Sequence, residues 1–303
     1  MGNDMKPEEK SPVVGGYLPQ APSMNLPDKA EMMRQLQRVA QKYELAGGAV
    51  IKLRQLEAFD IVVIADDSSS MNGPAHDIPP NQPFAQVPSR WEELKQRVMQ
   101  IVEIATCLDQ DGIDIYFLNA QPHYNVSSVE FAQTLFYQVP NGYTPLTETY
   151  QRVLREKLEG DPEKRVLIIV ATDGEPNKCV NGTWRKDSEG FYQLLKRRKD
   201  PHRCPTTIMA CTDSEHEIGW MNMLDKSVPG IDVIDDYQAE RKEVLSAQGK
   251  AFPFSMGDYV VKTLLGPIDP IYDNLDEDRL TKKQRAEYMG GVVPESQQCC
   301  TLS

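Results

Sequence analysis

No apolar run in this chain approaches the roughly 20 residues that a helix needs to cross a bilayer, so any membrane association is expected to be peripheral. A basic surplus is lacking too: 33 Lys and Arg stand against 45 Asp and Glu, for a net charge of −12. That argues against a general nucleic-acid binder, whose phosphate contacts need a basic surface. None of the six cysteines forms a Cys-x-x-Cys pair. Cys179, His202 and Cys204 have no second close pair to complete a zinc site, and they read as ordinary thiols and a loop histidine. His123 and His216 stand without a Ser or Cys nucleophile in an elbow-like context. Residues 1 to 10 are polar with no apolar core, so no secretory signal is expected and the expected compartment is cytoplasmic, with reduced thiols. The triplets Asn125-Val126-Ser127 and Asn181-Gly182-Thr183 then read as chance matches to a glycosylation signal. Lys6 stands where a myristoylation signal wants Ser or Thr. No internal repeat is visible.

The chain has 303 residues, 40% of them hydrophobic, enough for one well-buried domain of about 200 residues with extensions. It is organised around Phe59-Asp60-Ile61-Val62-Val63-Ile64-Ala65-Asp66-Asp67-Ser68-Ser69-Ser70. The apolar, β-branched first half has the profile of a strand buried on both faces. The second half turns abruptly polar, with Asp66, Ser68 and Ser70 at alternate positions. Oxygen ligands at the end of a buried strand suit a hard divalent cation, and in open α/β sheets the C-terminal strand ends are where ligands bind.

Residues 1–27, with five prolines, read as a disordered arm. Residues 28–46 read as a helix flanking the domain, with Met32, Met33, Leu36, Val39, Ala40 and Tyr43 at helical spacing and Gly47-Gly48 as its stop. Residues 71–88 carry Pro74, Pro79, Pro80, Pro83 and Pro88, which forbid a continuous helix. They make a loop at the metal end of the strand, in which His76 and Asp77 read first as exposed and, as the alternative, as groups that approach the metal. A helix starts at Ser89, with Glu92 at the capping-box position and Trp91, Leu94, Val98, Ile101, Val102 and Ala105 as its apolar stripe. Further strands are expected at 112–118, 165–171, 206–211 and, as a short edge, 231–234, with helices at 129–137, 146–158, 188–199, 215–226 and 257–265. The run Lys196-Arg197-Arg198-Lys199 reads as a solvated helix end that complements the dipole. The alternation predicts an α/β fold, a doubly wound, mostly parallel, Rossmann-like sheet over residues 47–265, with flexible N- and C-terminal extensions. Residues 266–303 read as a charged tail with a surface helix near 276–287.

Two further pieces complete the polar corner: Thr144, in the turn-rich loop Pro140-Asn141-Gly142-Tyr143-Thr144-Pro145-Leu146, and Asp173, in Thr172-Asp173-Gly174 after a second fully apolar strand. With Asp66-x-Ser68-x-Ser70, these pieces and the strand–helix pattern between them resemble the von Willebrand factor type A domain and its metal-ion-dependent adhesion site. The resemblance spans roughly residues 45–265. It implies a vWA-like fold and a metal site made of Asp66, Ser68, Ser70, Thr144 and Asp173. The chemistry agrees independently: three neutral hydroxyls and two carboxylates fit Mg²⁺, with Mn²⁺ or Ca²⁺ as alternatives, and some positions would be filled through water. The family's arrangement leaves the ion electrophilic and open to a partner's carboxylate. Asp67 is not a ligand in the family pattern and is left to tune the site or to face solvent, and the long proline-rich loop departs from the pattern.

The chain ends Cys299-Cys300-Thr301-Leu302-Ser303, which looks like a prenylation box with Cys300 as the prenyl acceptor and Cys299 as the candidate for a palmitoyl group. One prenyl chain holds a protein loosely, so a second signal would be needed for stable attachment. The expected function is a non-enzymatic, metal-dependent interaction module of the adhesion or scaffold type. It would bind an Asp or Glu of a protein partner and be tethered to the cytoplasmic membrane leaflet by its tail. The alternatives are a Mg²⁺-dependent phosphohydrolase with Asp66 as nucleophile, or a scaffold with a vestigial metal site. Against the hydrolase, Ser68 stands where that chemistry wants a second Asp as acid/base.

Overall fold

The structure, a computed structural model, describes residues 29–76, 86–109, 111–198, 200–212 and 219–291. The arm at 1–27, Asp77, His216, Cys299 and Cys300 lie outside the described residues. In chain order the elements are α1 (Lys29–Lys42), α2 (Ala49–Leu53), β1 (Asp60–Ala65), α3 (Arg90–Ala105), β2 (Ile113–Phe117), β3 (His123–Val126), α4 (Val129–Leu135), α5 (Leu146–Leu158) and β4 (Val166–Thr172). There follow β5 (Asn177–Val180), β6 (Thr183–Lys186), α6 (Ser188–Lys196), β7 (Thr206–Ala210), α7 (Met221–Ser227), β8 (Ile231–Ile234), α8 (Tyr237–Gln248), α9 (Met256–Leu265), α10 (Pro270–Asp273) and α11 (Lys282–Tyr288).

The fold is mixed α/β, built on a six-stranded sheet in the order β3-β2-β1-β4-β7-β8. Every pairing is parallel except β2 with β3. Alternation explains why residues 61–65 of β1 and 166–171 of β4 are apolar on both faces. In β1, Ile61, Val63 and Ala65 face one apolar core, while Val62 and Ile64 face another. In β4, Leu167, Ile169 and Ala171 join the first core, while Val166, Ile168 and Val170 join the second. The first core is closed by side chains of α1, α2, α3, α8 and α9, and the second by α5, α6 and α7. Each fully buried Val or Ile contributes about 2 kcal/mol of transfer free energy, and no polar position interrupts the central strands.

Helix α3 begins as the spacing predicts. Ser89 accepts the Glu92 backbone N–H and Glu92 accepts that of Ser89, a complete capping box, and all six residues of the expected stripe are buried. Helix α1 buries Met32, Leu36 and Val39 against α2 and α3, in the first core.

Three expectations are corrected. Residues 266–291 are not a tail: Ile271, Tyr272, Leu275, Leu280 and Tyr288 are buried in the first core, and the helix near 276–287 is the shorter α11. Helix α6 stops at Lys196, and Arg198 beyond it is buried rather than solvated. Its guanidinium donates to the carbonyls of Cys204 at 2.6 Å and Pro229 at 2.7 Å, tying the starts of β7 and β8 together. His76 is not a free loop side chain, since its Nε2 lies 3.0 Å from Glu93 Oε1 on α3.

Candidate functional site

Strand order reverses between β1 and β4. From β1 the chain proceeds outward through β2 and β3, and from β4 it proceeds outward the other way through β7 and β8. Such a switch point opens a crevice at the C-terminal strand ends. Asp66 and Asp173 leave β1 and β4 side by side there, with the Asp66 N–H donating to the Ala171 carbonyl at 2.9 Å.

From that corner a chain of hydrogen bonds can be followed atom by atom. Asp66 Oδ1 accepts the Ser68 backbone N–H at 2.8 Å, which turns the chain back over the strand end. Asp66 Oδ2 accepts the Thr172 hydroxyl at 2.5 Å. The Ser70 hydroxyl donates to Asp173 Oδ1 at 2.7 Å, which leaves the Ser68 hydroxyl to donate to Ser70 Oγ at 3.0 Å. Asp173 Oδ2 accepts from Arg90 Nη1 at 2.6 Å. Asp66, Ser68, Ser70 and Asp173 are thus joined in one network, and Asp66, Ser68 and Asp173 are buried.

The loop that carries Thr144 is tied to the backbone at Asp67 and Ser69, next to this network. Asn141 donates its N–H to the Asp67 carbonyl at 2.8 Å, Ser69 donates its own to the Gly142 carbonyl at 3.2 Å, and Gly142 donates back to Ser69 Oγ at 3.0 Å. Gly142 has a φ of +104°, and a Cβ there would lie 2.4 Å from Asn119 Oδ1, so glycine is needed twice over. Thr144 itself is buried. Its N–H donates to Asn177 Oδ1 at 2.8 Å and its carbonyl accepts the Asn177 N–H at 2.8 Å.

Electrostatics at the corner are unfavourable to two bare carboxylates. Burial, followed by repulsion from Asp173, pushes the Asp66 carboxyl up to about 7. Burial and the same two carboxylates push the nearby Cys211 thiol well above its ordinary value. The ionised form of Asp66 is therefore disfavoured here, and a cation beside it would favour that form.

Among the described residues no group of three or more His, Cys, Asp and Glu is arranged to hold a metal ion. An ion at this corner would rest on two carboxylates and three hydroxyls, a set of hard oxygens that fits Mg²⁺, Mn²⁺ or Ca²⁺ rather than a softer metal. Neither zinc nor nucleophile chemistry gains support from the other candidates. Cys179 is exposed on the β5–β6 hairpin, Cys204 is buried beside Arg198, and His123 sits edge-on to Phe117 and Phe131.

Sequence reasoning missed two contributors, Arg90 and the β5–β6 hairpin, and left open whether Asp67 tunes the site or faces solvent. Asp67 is buried, and its carboxylate accepts the backbone N–H groups of Asn119 at 2.7 Å and Ala120 at 3.0 Å. Arg90 reaches Asp173 across 83 positions in sequence, which no local pattern records. The β5–β6 hairpin carries Trp184, whose ring stacks on Tyr143 with centroids 4.5 Å apart. For the hairpin a signal existed: Asn181-Gly182 is a favoured two-residue turn, and both residues have positive φ.

No protein-family model matches the chain, and no curated protein matches it. Among solved structures it is similar to the PilB minor pilin from Streptococcus sanguinis, with 13% identity and a TM-score of 0.43 over 61% of this chain and 59% of that one. It is also similar to the pilus adhesin SpaC from Lactobacillus rhamnosus GG in its open conformation, with 10% identity and a TM-score of 0.41 over 68% of this chain and 30% of that one. A third likeness is to proximal thread matrix protein 1 from the mussel byssus, with 15% identity and a TM-score of 0.36 over 61% and 45% of the two chains. The chain thus matches less than two thirds of the length of each, and resemblance this distant carries nothing over to the site of this chain.

Proposed function

We propose that this chain is a doubly wound, von Willebrand factor type A-like interaction domain. Its strand-end corner would hold a Mg²⁺-type cation through Asp66, Ser68, Ser70, Thr144 and Asp173, and the held cation would receive a carboxylate from a protein partner. The observation that carries the reading is the continuous network from Asp66 through Ser68 and Ser70 to Asp173 at the point where strand order reverses. Side chains distant in sequence, all bearing hard oxygens, converge there with only two formal negative charges. A dication held by so few charges keeps its appetite for a further anionic oxygen. Supplying that electrophilic position is the chemistry the ion would bring. The residues hold and orient it: Asp67 and Gly142 fix the two loops, and Thr172 fixes the Asp66 carboxylate.

The interaction reading is preferred to a phosphohydrolase because of Asp66 itself. It is fully buried and both of its oxygens accept hydrogen bonds, an arrangement for a held ligand group rather than an attacking one. In the tail, which lies outside the described residues, a lipid on Cys300 with or without one on Cys299 would carry the module to the cytoplasmic membrane leaflet.

The test is capture of partners from extract with Mg²⁺ present or chelated, comparing wild type with Ser68→Ala, Asp173→Ala and Cys300→Ser. The expected result is a set of partners lost on chelation and lost again in Ser68→Ala and Asp173→Ala, both of which remain folded. Cys300→Ser is expected to keep partner capture while losing the membrane fraction. Identical capture with and without chelator would refute a metal-bridged mechanism.

A further inference from the structure

We propose that Arg90 is a built-in counter-cation for this corner, and that a divalent ion gains Asp173 only by displacing it, so that Arg90 sets how weakly the ion is held. The inference rests on the metal reading above and adds to it a residue that is not itself a ligand.

The geometry is specific. Asp173 has a fully buried side chain, and its two oxygens are divided between Ser70 and Arg90, at 2.7 Å and 2.6 Å. The Arg90 side chain is 15% exposed, so this ion pair is largely withdrawn from water and is little screened. Its backbone is pinned as well. Arg90 is the first residue of α3, its N–H donates to the Gly73 carbonyl at 2.9 Å, and the preceding Ser89 is bridged to Pro74. Trp91, next in the chain, is held by a tilted ring contact with Phe136, centroids 4.6 Å apart, and by a hydrogen bond to the Phe136 carbonyl at 3.2 Å. The guanidinium therefore reaches Asp173 from a fixed base.

With both carboxylates ionised, Asp66 and Asp173 present two negative charges, and Arg90 returns one positive charge. A dication added beside the guanidinium would meet a like charge at close range and an Asp173 oxygen already committed. Removing the guanidinium leaves the same oxygens with no internal compensation, a stronger site for a dication and a weaker fold without one. A positive charge at this position thus makes occupancy conditional on the ion concentration and on whatever the partner contributes.

Isothermal titration of the full chain with MnCl₂ and with MgCl₂ tests this, together with thermal melts in chelator and in excess Mn²⁺. Arg90→Ala is expected to bind Mn²⁺ at least tenfold more tightly than wild type, while Arg90→Lys stays within about threefold of it. In chelator Arg90→Ala is expected to melt below wild type, and in excess Mn²⁺ the gap should close. A purely structural arginine would leave the gap open in both conditions. Should Arg90→Ala not fold, Arg90→Gln replaces it with the same expectation. Equal or weaker Mn²⁺ binding in the folded neutral variant, with wild type still binding, overturns the displacement and leaves the metal reading standing. No Mn²⁺ binding by wild type or by the neutral variant overturns the metal reading, and this inference with it.

Discussion

The Asp67 carboxylate takes both the backbone N–H and the side-chain amide of Asn119, at 2.7 Å and 3.0 Å, so the end of β1 is stitched to the end of β2 by a side chain that would not touch an ion. The same Asn119 amide donates to the Tyr143 carbonyl at 2.9 Å, which extends the stitch to the loop carrying Thr144. Asp67→Ala would deprive the part-buried donors of Asn119 and Ala120 of their charged acceptor. A loss of about 1–3 kcal/mol is expected in denaturant unfolding. Weaker Mn²⁺ binding should accompany it, because Thr144 loses its positioning. Unchanged stability would mean that the stitch is incidental.

Stability should also fall with rising pH, because of a cluster remote from the candidate site. Lys262 is fully buried on α9, with Asp276 Oδ1 at 2.9 Å, Glu240 Oε1 at 3.2 Å and Asp232 Oδ1 at 3.9 Å. Burial pushes Asp232 up to about 7 and Glu240 up to about 8. The pull of Lys262 is outweighed, and the neighbouring carboxylates add repulsion. Burial opposes the Lys262 charge, but the surrounding carboxylates hold its ammonium well above the ordinary lysine value. A carboxyl raised on folding binds more protons in the native state than in the unfolded one. Its contribution is complete below the ordinary values of 3.8 and 4.5 and is lost as pH rises through about 7 to 8. Melts from pH 5 to pH 9 should show the decline. Glu240→Gln should flatten it and raise the Tm at pH 9, by roughly 2–4 °C for each kcal/mol recovered. An unaltered slope in that variant would assign the pH dependence elsewhere.

What could be seen in the sequence follows from how local each cause is. The buried strands declared themselves because burial on both faces demands unbroken apolar runs, as in Val62-Val63-Ile64 and Leu167-Ile168-Ile169-Val170. The α3 start declared itself because a capping box is confined to four consecutive residues, Ser89 to Glu92. Asp66, Ser68, Ser70 and Asp173 were legible as strand-end polar residues, whereas Arg90 was not, since its partner is set by the fold and not by its neighbours. Gly47-Gly48 reads as a helix stop, but its stronger constraint is close approach. A Cβ on Gly48 would lie 1.9 Å from the Glu287 carbonyl oxygen, and one on Gly47 would lie 2.5 Å from that of Met289. Arg198 reads as one of four solvated cations because charge runs usually are, and only the fold turns it inward to cap backbone carbonyls.

On the proposed reading, partner selectivity would reside at the rim of the corner. Tyr143 precedes Thr144, is half-exposed, and stacks on Trp184 with an interplanar angle of 15°. Asn177, which clasps Thr144, opens the hairpin that carries Trp184. An aromatic pair flanking an ion-bound carboxylate is a natural anchor for the apolar neighbours of that carboxylate. Tyr143→Ala is expected to weaken partner capture by about tenfold, an ordinary anchor loss, while leaving Mn²⁺ binding near wild type. Loss of both together would instead make Tyr143 a support for the Thr144 loop.

The last prediction concerns where the domain ends. Tyr288 on α11 is fully buried, stacks on Phe252 with centroids 4.9 Å apart, and offers its carbonyl to the Gly48 N–H at 2.9 Å. Tyr272 and Leu275 are buried beside it in the core that α1 and α9 share. A chain ending after Gly266 would expose these apolar contacts and leave Gly47 and Gly48 packed against nothing. It should fail to unfold cooperatively, whereas a chain ending after Gly291 should keep the wild-type transition. Within the full chain, Tyr288→Ala is expected to cost about 3–5 kcal/mol, the usual range for emptying an aromatic site in a core. Urea unfolding followed by tryptophan fluorescence reads both. If the chain ending after Gly266 unfolded with an unchanged midpoint, the C-terminal helices would be an ornament on a domain complete without them.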